Sequence, residues 1–231
     1  MRVYSMNSDG YAHIAVLEHK QGEILSQFTQ KDVEILSTER VYEGFFHVEV
    51  VNLRHRLFAG GWSANLRREI MDRGHAVVVL PYDPATDKIV MLEQFRVGAM
   101  ATGETPWLRE LVAGMVENGE EVETVAHREL EEESGLQAES LHYALSYLSS
   151  PGGMTERIYI YLARVDGTKA SKFGGLSSEN EDIKVEALPR KKVMEMLEQG
   201  KVDNAATVIG LQWLGLHLNR FRQEWGFEGI K

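Results

Sequence analysis

Four glutamates, Glu129, Glu131, Glu132 and Glu133, fall within five consecutive residues of the stretch "RELEEESG", Arg128 to Gly135. Like charges at helical spacing repel by a few tenths of a kcal/mol per pair, so such crowding calls for either bulk water or a counter-charge. At roughly 100° per residue, Glu132 and Glu133 lie within about 60° of Glu129, while Glu131 points to the far side. Val122, Val125 and Ala126 occupy the same stripe as Glu129. An apolar, core-facing series at 122, 125, 126, 129, 132 and 133 therefore turns acidic in its last members. A solvated acidic surface would lie opposite the apolar stripe, and Glu131 fits that description. The other three converge at the mouth of a core, where carboxylates need a cation. With no cysteine in the chain and no adjacent histidine pair, the matching partner is a hard divalent ion, Mg²⁺ or Mn²⁺. Arg128, four residues before Glu132, has two readings. It orients that ligand by a charge-assisted hydrogen bond, or it forms a surface ion pair worth under about 1 kcal/mol.

The surrounding text supplies the elements that must position these acids. A helical pattern begins near Gly119 and ends at Gly135, which stands where a left-handed cap is wanted. Ahead of it, "VYEGFFHVEVVNLRHRLF" reads as strands ending at the Gly60-Gly61 turn. "HAVVVLPY" and "KIVMLEQF", separated by Asp83-Pro84 and Asp87, read as a hairpin. Behind the helix, "LHYALSYL", "RIYIYLARV" and "IKVEAL" are further strands, the last preceded by the Gly/Ser-rich loop "KASKFGGLSSENED". Two helices follow, Pro189 to Gln199, closed by Gly200, and Asp203 to about Trp225, opened by an aspartate cap. Residues 1 to about 35 are weakly patterned and read as a loosely held leader or an opening strand pair. The mixture predicts an α+β fold with helices packed around a mixed sheet.

Composition bounds the function. The 231 residues, 43% hydrophobic and 26% charged, suit an ordinary globular protein of one or two domains. The absence of cysteine excludes a disulfide framework, zinc-thiolate sites and thiol nucleophiles. The opening residues lack a secretory pattern and no apolar run approaches the roughly 20 residues of a membrane span, so a cytoplasmic protein with no membrane partner is expected. A net charge of −10 repels phosphate backbones, so no nucleic-acid partner is expected. A small anionic substrate remains compatible if metal ions or arginines supply local positive charge.

The segment "GMVENGEEVETVAHRELEEESGL", Gly114 to Leu136, resembles the Nudix box at Gly114, Glu120, Arg128, Glu129, Leu130, Glu132, Glu133, Gly135 and Leu136. Pro151 stands sixteen residues after Gly135, which resembles the proline that marks ADP-ribose pyrophosphatases. From about Asp32 onward, "YEGFF", "FRVGA", "ETPWLRELVAGM", "SENEDI" and "GKVDNAATVIGLQWL" resemble the bacterial ADP-ribose pyrophosphatase branch of the family. The resemblance implies a Nudix fold, an α/β/α sandwich around a mixed sheet, at 73–231. It also implies an N-terminal β-rich domain at 1–72, exchanged within a homodimer. The implied activity is Mg²⁺-dependent hydrolysis of ADP-ribose to AMP and ribose 5-phosphate, with Mn²⁺ as an alternative ion. A sugar nucleotide, a dinucleoside polyphosphate or NADH is the alternative substrate, and a non-catalytic ADP-ribose sensor the alternative class.

By position, the resemblance implies that the Ala113 carbonyl and the side chains of Glu129, Glu133 and Glu181 hold metal, with Glu132 second to them or reached through water. It implies Glu179 as the base, and Arg96, Met115, Ser150 and Glu156 against the substrate. Phe45 and Arg68 would reach the adenosine half from the partner subunit. Residue type alone gives plainer alternatives: a solvated acidic loop for Glu179 and Glu181, a strand-end surface charge for Arg96, a core aromatic for Phe45 and a surface charge for Arg68.

Overall fold

Long apolar runs in this chain are short enough to be strands and alternate in side-chain direction, so each can feed two opposite faces of one sheet. The structure, a computed structural model, describes residues 26–228. Residues 1–25 of the expected leader lie outside the described residues. Among the described residues two compact units emerge, one from 26–39 with 50–68 and one from 40–49 with 69–228.

Strands β1 (Val33–Glu43), β2 (His47–His55) and β3 (Leu66–Asp72) form a three-stranded sheet in that order. In the first unit, Thr29 caps a single 3₁₀ turn, Gln30–Asp32, ahead of β1. Arg54 pairs with Glu34 at 2.6 Å, and Arg54 and Arg56 stack over the Trp62 ring.

The second unit holds an eight-stranded sheet. Its members are β4 (His75–Asp83), β5 (Lys88–Phe95), β6 (Trp107–Glu110), β7 (Val112–Val116), β8 (Ser140–Leu148), β9 (Arg157–Arg164), β10 (Phe173–Gly174) and β11 (Ile183–Pro189). The main order is β10-β11-β5-β4-β9-β8, mixed because β4 and β9 run parallel while the other pairs are antiparallel. The expected hairpin of β4 and β5 is present only at its turn, where Tyr82 faces Ile89 and Asp83 faces Lys88. Beyond that the strands part. β7 takes the place beside β4, with Val79 opposite Val112, and β6 takes the place beside β5, with Leu92 opposite Glu110.

Helix α1 (Val122–Ser134) covers one face, where Val125, Ala126 and Leu130 pack with Val77, Val79, Leu92 and Val112. Helices α2 (Arg190–Glu198) and α3 (Ala205–Glu224) cover the other, where Val193, Leu211, Leu214 and Phe221 pack with Val78, Leu80, Tyr82 and Met91. The three layers match the expected α/β/α arrangement. Among the described residues no helix is long and apolar enough to cross a membrane.

Gly135 closes α1 at φ 70°, as its position predicted. The aspartate cap predicted for α3 is corrected: Asn204, not Asp203, is the extended residue whose side chain accepts from the Thr207 N–H. Asn204 also has an amide donor to spend elsewhere, which Asp203 lacks.

At the turn end of the sheet, Asp87 adopts φ +51°, a region that aspartate tolerates better than most side chains. Its carboxylate accepts from Tyr82 Oη (2.9 Å), from Arg190 Nε and Nη2 (2.8 and 3.0 Å), and pairs with Arg222 Nη2 at 2.7 Å. Burial opposes the charge, but these donors win and hold its carboxyl below the usual range. One side chain thus ties the strand turn to both helices of the second layer. Replacing Asp87 with asparagine keeps the backbone tolerance and removes the charge. Urea denaturation should show a stability loss of about 2 kcal/mol, the scale of hydrogen bonds to a charged group.

Candidate active site

The apolar stripe of α1 ends in Glu129 and Glu133, and both carboxylates are buried against β7. The local cause is a glycine. A Cβ added at Gly114 would overlap the Glu129 carboxylate, so only glycine lets that side chain fold onto the strand. Next to it, the Ala113 N–H donates to Glu133 Oε2 at 2.8 Å. A strand amide and a missing side chain therefore fix two acids side by side.

Their electrostatics follow from that placement. Burial pushes the Glu133 carboxyl up to about 8; the Ala113 N–H and Arg96 pull it down, and the charges of Glu129 and Glu181 push it further. Burial likewise raises Glu129 to about 7, opposed by Arg128 and assisted by Glu132 and Glu181. Burial thus shifts both groups toward the protonated form until a cation arrives. Arg128 settles its two readings as the hub of the acidic helix, pairing with Glu129 at 2.8 Å, Glu132 at 3.3 Å and Glu120 at 3.5 Å. Glu132 is half-buried, and Glu131 turns away to meet Gln137.

The loop after β10 is hung on the end of the same helix. Ser171 N–H donates to the Ser134 carbonyl (2.9 Å) and Gly175 N–H to the Glu132 carbonyl (3.0 Å), which occupies helix-end acceptors that have no partner inside the helix. A Cβ at Gly174 would strike the Glu133 carbonyl. From this anchor the chain reaches a 3₁₀ turn, Ser177–Glu179, and Asn180 in the left-handed region. Glu179 is exposed. Glu181 accepts from the Leu176 N–H at 3.1 Å, and its charge is felt by both buried acids.

Among the described residues no three His, Cys, Asp or Glu side chains close into a complete metal-holding set. What is preformed is the pair, with Glu181 facing it from the anchored loop. Two dehydrated carboxylates, oxygen donors only, and a cradle that a Cβ would fill fit a hard divalent cation.

The remaining expected residues fall at stated places. Arg96 follows β5, and its Nε and Nη2 both reach Glu110 Oε2, at 2.9 and 2.8 Å. Met115 lies on β7, with its sulfur 3.5 Å from Arg73 Nη2. Glu156 is buried and pairs with Arg73 Nε at 3.3 Å. Ser150 is exposed, and its carbonyl accepts from Gly153 and Met154. Phe45, at the tip between β1 and β2, is 79% exposed with Phe46 against its edge. Arg68, on β3, is exposed and donates to the Arg67 carbonyl. Sequence reasoning passed over Arg73 and Glu110. Glu110 carried a readable signal, a lone acid inside the apolar strand run "WLRELV"; Arg73, beside a turn glycine, carried none.

A family model for the NUDIX domain matches residues 72–208. The chain belongs to the Nudix family. Among its Nudix relatives, the ADP-ribose pyrophosphatase of Escherichia coli (strain K12) is 51% identical over 198 residues, 86% of this chain and 95% of the relative. The ADP-ribose pyrophosphatase of Haemophilus influenzae is 45% identical over 209 residues, 89% of this chain and 96% of the relative. A GDP-mannose pyrophosphatase of Escherichia coli O1:K1 / APEC is 33% identical, across 64% of this chain and 77% of the relative. A crystal structure of an ADP compounds hydrolase shares the fold, with a TM-score of 0.65 at 23% identity, covering 85% of this chain and 97% of that one. Nudix hydrolases generally use divalent metal ions.

Two outcomes test the geometry. Gly114→Ala should weaken Mn²⁺ binding at least about tenfold by calorimetry, since Glu129 must leave the strand. The second concerns pH. Folded Glu129 and Glu133 bind protons more tightly than an ordinary glutamate carboxyl, near 4.5, so the folded state holds more protons than the unfolded one between about pH 4.5 and 8, and stability falls as pH rises through that window. Without divalent ions the melting temperature should drop on the order of 5 °C across it, and Glu133→Gln should flatten the fall. A metal-free melting curve rising over the same range would contradict the placement.

Proposed function

We propose that this Nudix enzyme hydrolyses the diphosphate bond of ADP-ribose, with Mg²⁺ as the working ion and Mn²⁺ as a substitute, releasing AMP and ribose 5-phosphate. One observation carries the reading: relatives named ADP-ribose pyrophosphatase match 86–89% of the chain at 45–51% identity. The geometry of the paired acids supports it, because a diphosphate repels an incoming nucleophile until its charge is neutralised.

Glu129, Glu133, Glu181 and the Ala113 carbonyl would hold the ions. When bound, they supply charge for the non-bridging oxygens and make water acidic. Burial keeps the two helix acids from spending their charge on solvent. Arg128 holds the exposed side of the cluster. Glu179, carried on the anchored loop, takes the proton from the attacking water, a role worth on the order of 10²- to 10⁴-fold. Arg96, suited to a phosphate contact, and Glu156 would lie against the substrate, with Met115 and Ser150 nearby.

On the same reading, residues 1–72 make a β-rich domain exchanged between two copies, and 73–231 form the catalytic domain. Phe45 and Arg68 then serve the adenosine half bound by the other copy of a homodimer. The enzyme works in the cytoplasm and uses neither nucleic acid nor membrane. A second reading, a sugar nucleotide as substrate, is favoured by the GDP-mannose pyrophosphatase relative.

A turnover panel with Mg²⁺ separates them: ADP-ribose should exceed GDP-mannose, NADH and a diadenosine polyphosphate by at least about tenfold in kcat/KM, with AMP as product. Glu179→Gln should lower kcat by about 10²-fold or more. A panel led by GDP-mannose, or full activity in Glu179→Gln, would refute the corresponding assignment.

A further inference from the structure

Where β4 and β5 part, Glu110 sits at the end of β6 with only 2% of its surface exposed. A buried carboxylate persists only when its oxygens are occupied. One oxygen, Oε2, takes Arg96 Nε and Nη2 at 2.9 and 2.8 Å, with Gln94 Nε2 at 3.4 Å. The other, Oε1, takes Asn204 Nδ2 at 2.9 Å. Asn204 is itself locked, because its Oδ1 caps α3 by accepting from the N–H and the hydroxyl of Thr207. The Thr207 hydroxyl in turn accepts from the Leu111 N–H at 3.1 Å. The ring of contacts closes on the residue next to Glu110.

Arg96 is the odd member. Its side chain is 43% exposed while its partner is buried, so the guanidinium stands in a wall with one edge fastened. Among the described residues Nη1 makes no hydrogen bond or ion pair. The Arg96 charge also acts on Glu133, so the guanidinium stands within electrostatic reach of the paired acids. An arginine recognises a phosphate as a planar fork only if its plane is fixed beforehand. A flexible arginine would lose side-chain freedom on each binding event.

We propose that Glu110 and Asn204 are positioning residues that hold the Arg96 guanidinium in the plane required to meet a phosphate of the substrate. The assignment rests on the ADP-ribose reading for its substrate, and it adds a second acid that touches no metal and no reacting atom. α3, whose other contacts serve the core, thereby sets the pose of a binding arginine through its own cap.

The test is a double-mutant cycle on the full chain with Mg²⁺ and ADP-ribose. Glu110→Gln keeps the shape and the acceptor for Asn204 but removes the charge that fastens Arg96. It should raise KM at least tenfold and leave kcat within about threefold. Arg96→Ala should do at least as much, and adding Glu110→Gln to Arg96→Ala should change kcat/KM by less than twofold, because nothing remains to position. Asn204→Ser preserves a side-chain cap for α3 but cannot reach Glu110. It should raise KM severalfold with a near-normal melting temperature, and it carries the test if Glu110→Gln does not fold. Losses that multiply in the double variant, or a normal KM in Asn204→Ser, would overturn the proposal. A wild-type chain that fails to turn over ADP-ribose would instead sink the substrate assignment, and the same cycle would then be run on the best substrate of the panel.

Discussion

The exclusion of water from two neighbouring carboxylates governs this molecule. Glu129 and Glu133 lie where a helix would ordinarily bury leucine, and the strand beneath them gives way at Gly114 to make room. Removing an acid from water is costly enough that it keeps its proton or finds a cation. The Ala113 amide offsets part of that cost for Glu133, and Arg128 part of it for Glu129. The remainder is a standing demand for positive charge. Helix α1 is thus a core element whose last turn carries acid charge that the protein only partly offsets.

The neighbouring parts follow from that demand. The anchored loop adds a third acid, Glu181, whose charge deepens the deficit. The loop can approach so closely because Gly174 has no side chain to strike the Glu133 carbonyl, while a Cβ at Gly175 would crowd Glu181 within the loop itself. Its amides fill the carbonyls that the helix cannot fill itself. Loop and helix are therefore fastened to each other at two backbone hydrogen bonds.

Periodicity made much of this readable. Of the stripe 122, 125, 126, 129, 132 and 133, residues 125, 126, 129 and 133 are buried on α1 and Val122 and Glu132 half-buried, with Leu130 and Ser134 completing the buried face and Gly135 as its cap. Local rules of this kind act within a turn or two, so the text carries them directly. Long-range pairing was less accessible. "HAVVVLPY" and "KIVMLEQF" read as a hairpin, yet only two residue pairs hold it before other strands intervene. Nothing local in either run announces that. Glu110 stood out as a lone acid in an apolar run, but its partners were hidden for a related reason: they stand 14 and 94 residues away along the chain. The α3 cap slipped by one residue because Asp203 and Asn204 both suit the role, and only the extended backbone at Asn204 decides.

The fork between β4 and β5 has a consequence for how the protein is made. The wedge of chain from Trp107 to Val116 finishes two ladders at once, one on each prong, and it also carries Glu110, Ala113 and Gly114. Completion of the central sheet and assembly of the acidic cradle thus depend on the same stretch of chain and on contacts between separated parts of the sequence. Such contacts form slowly, because loop closure comes before any reward. A nascent chain lacking the wedge would expose two raw strand edges, which are natural targets for chaperones and for aggregation. The order of the sheet and the chemistry of the cradle rest on the same ten residues.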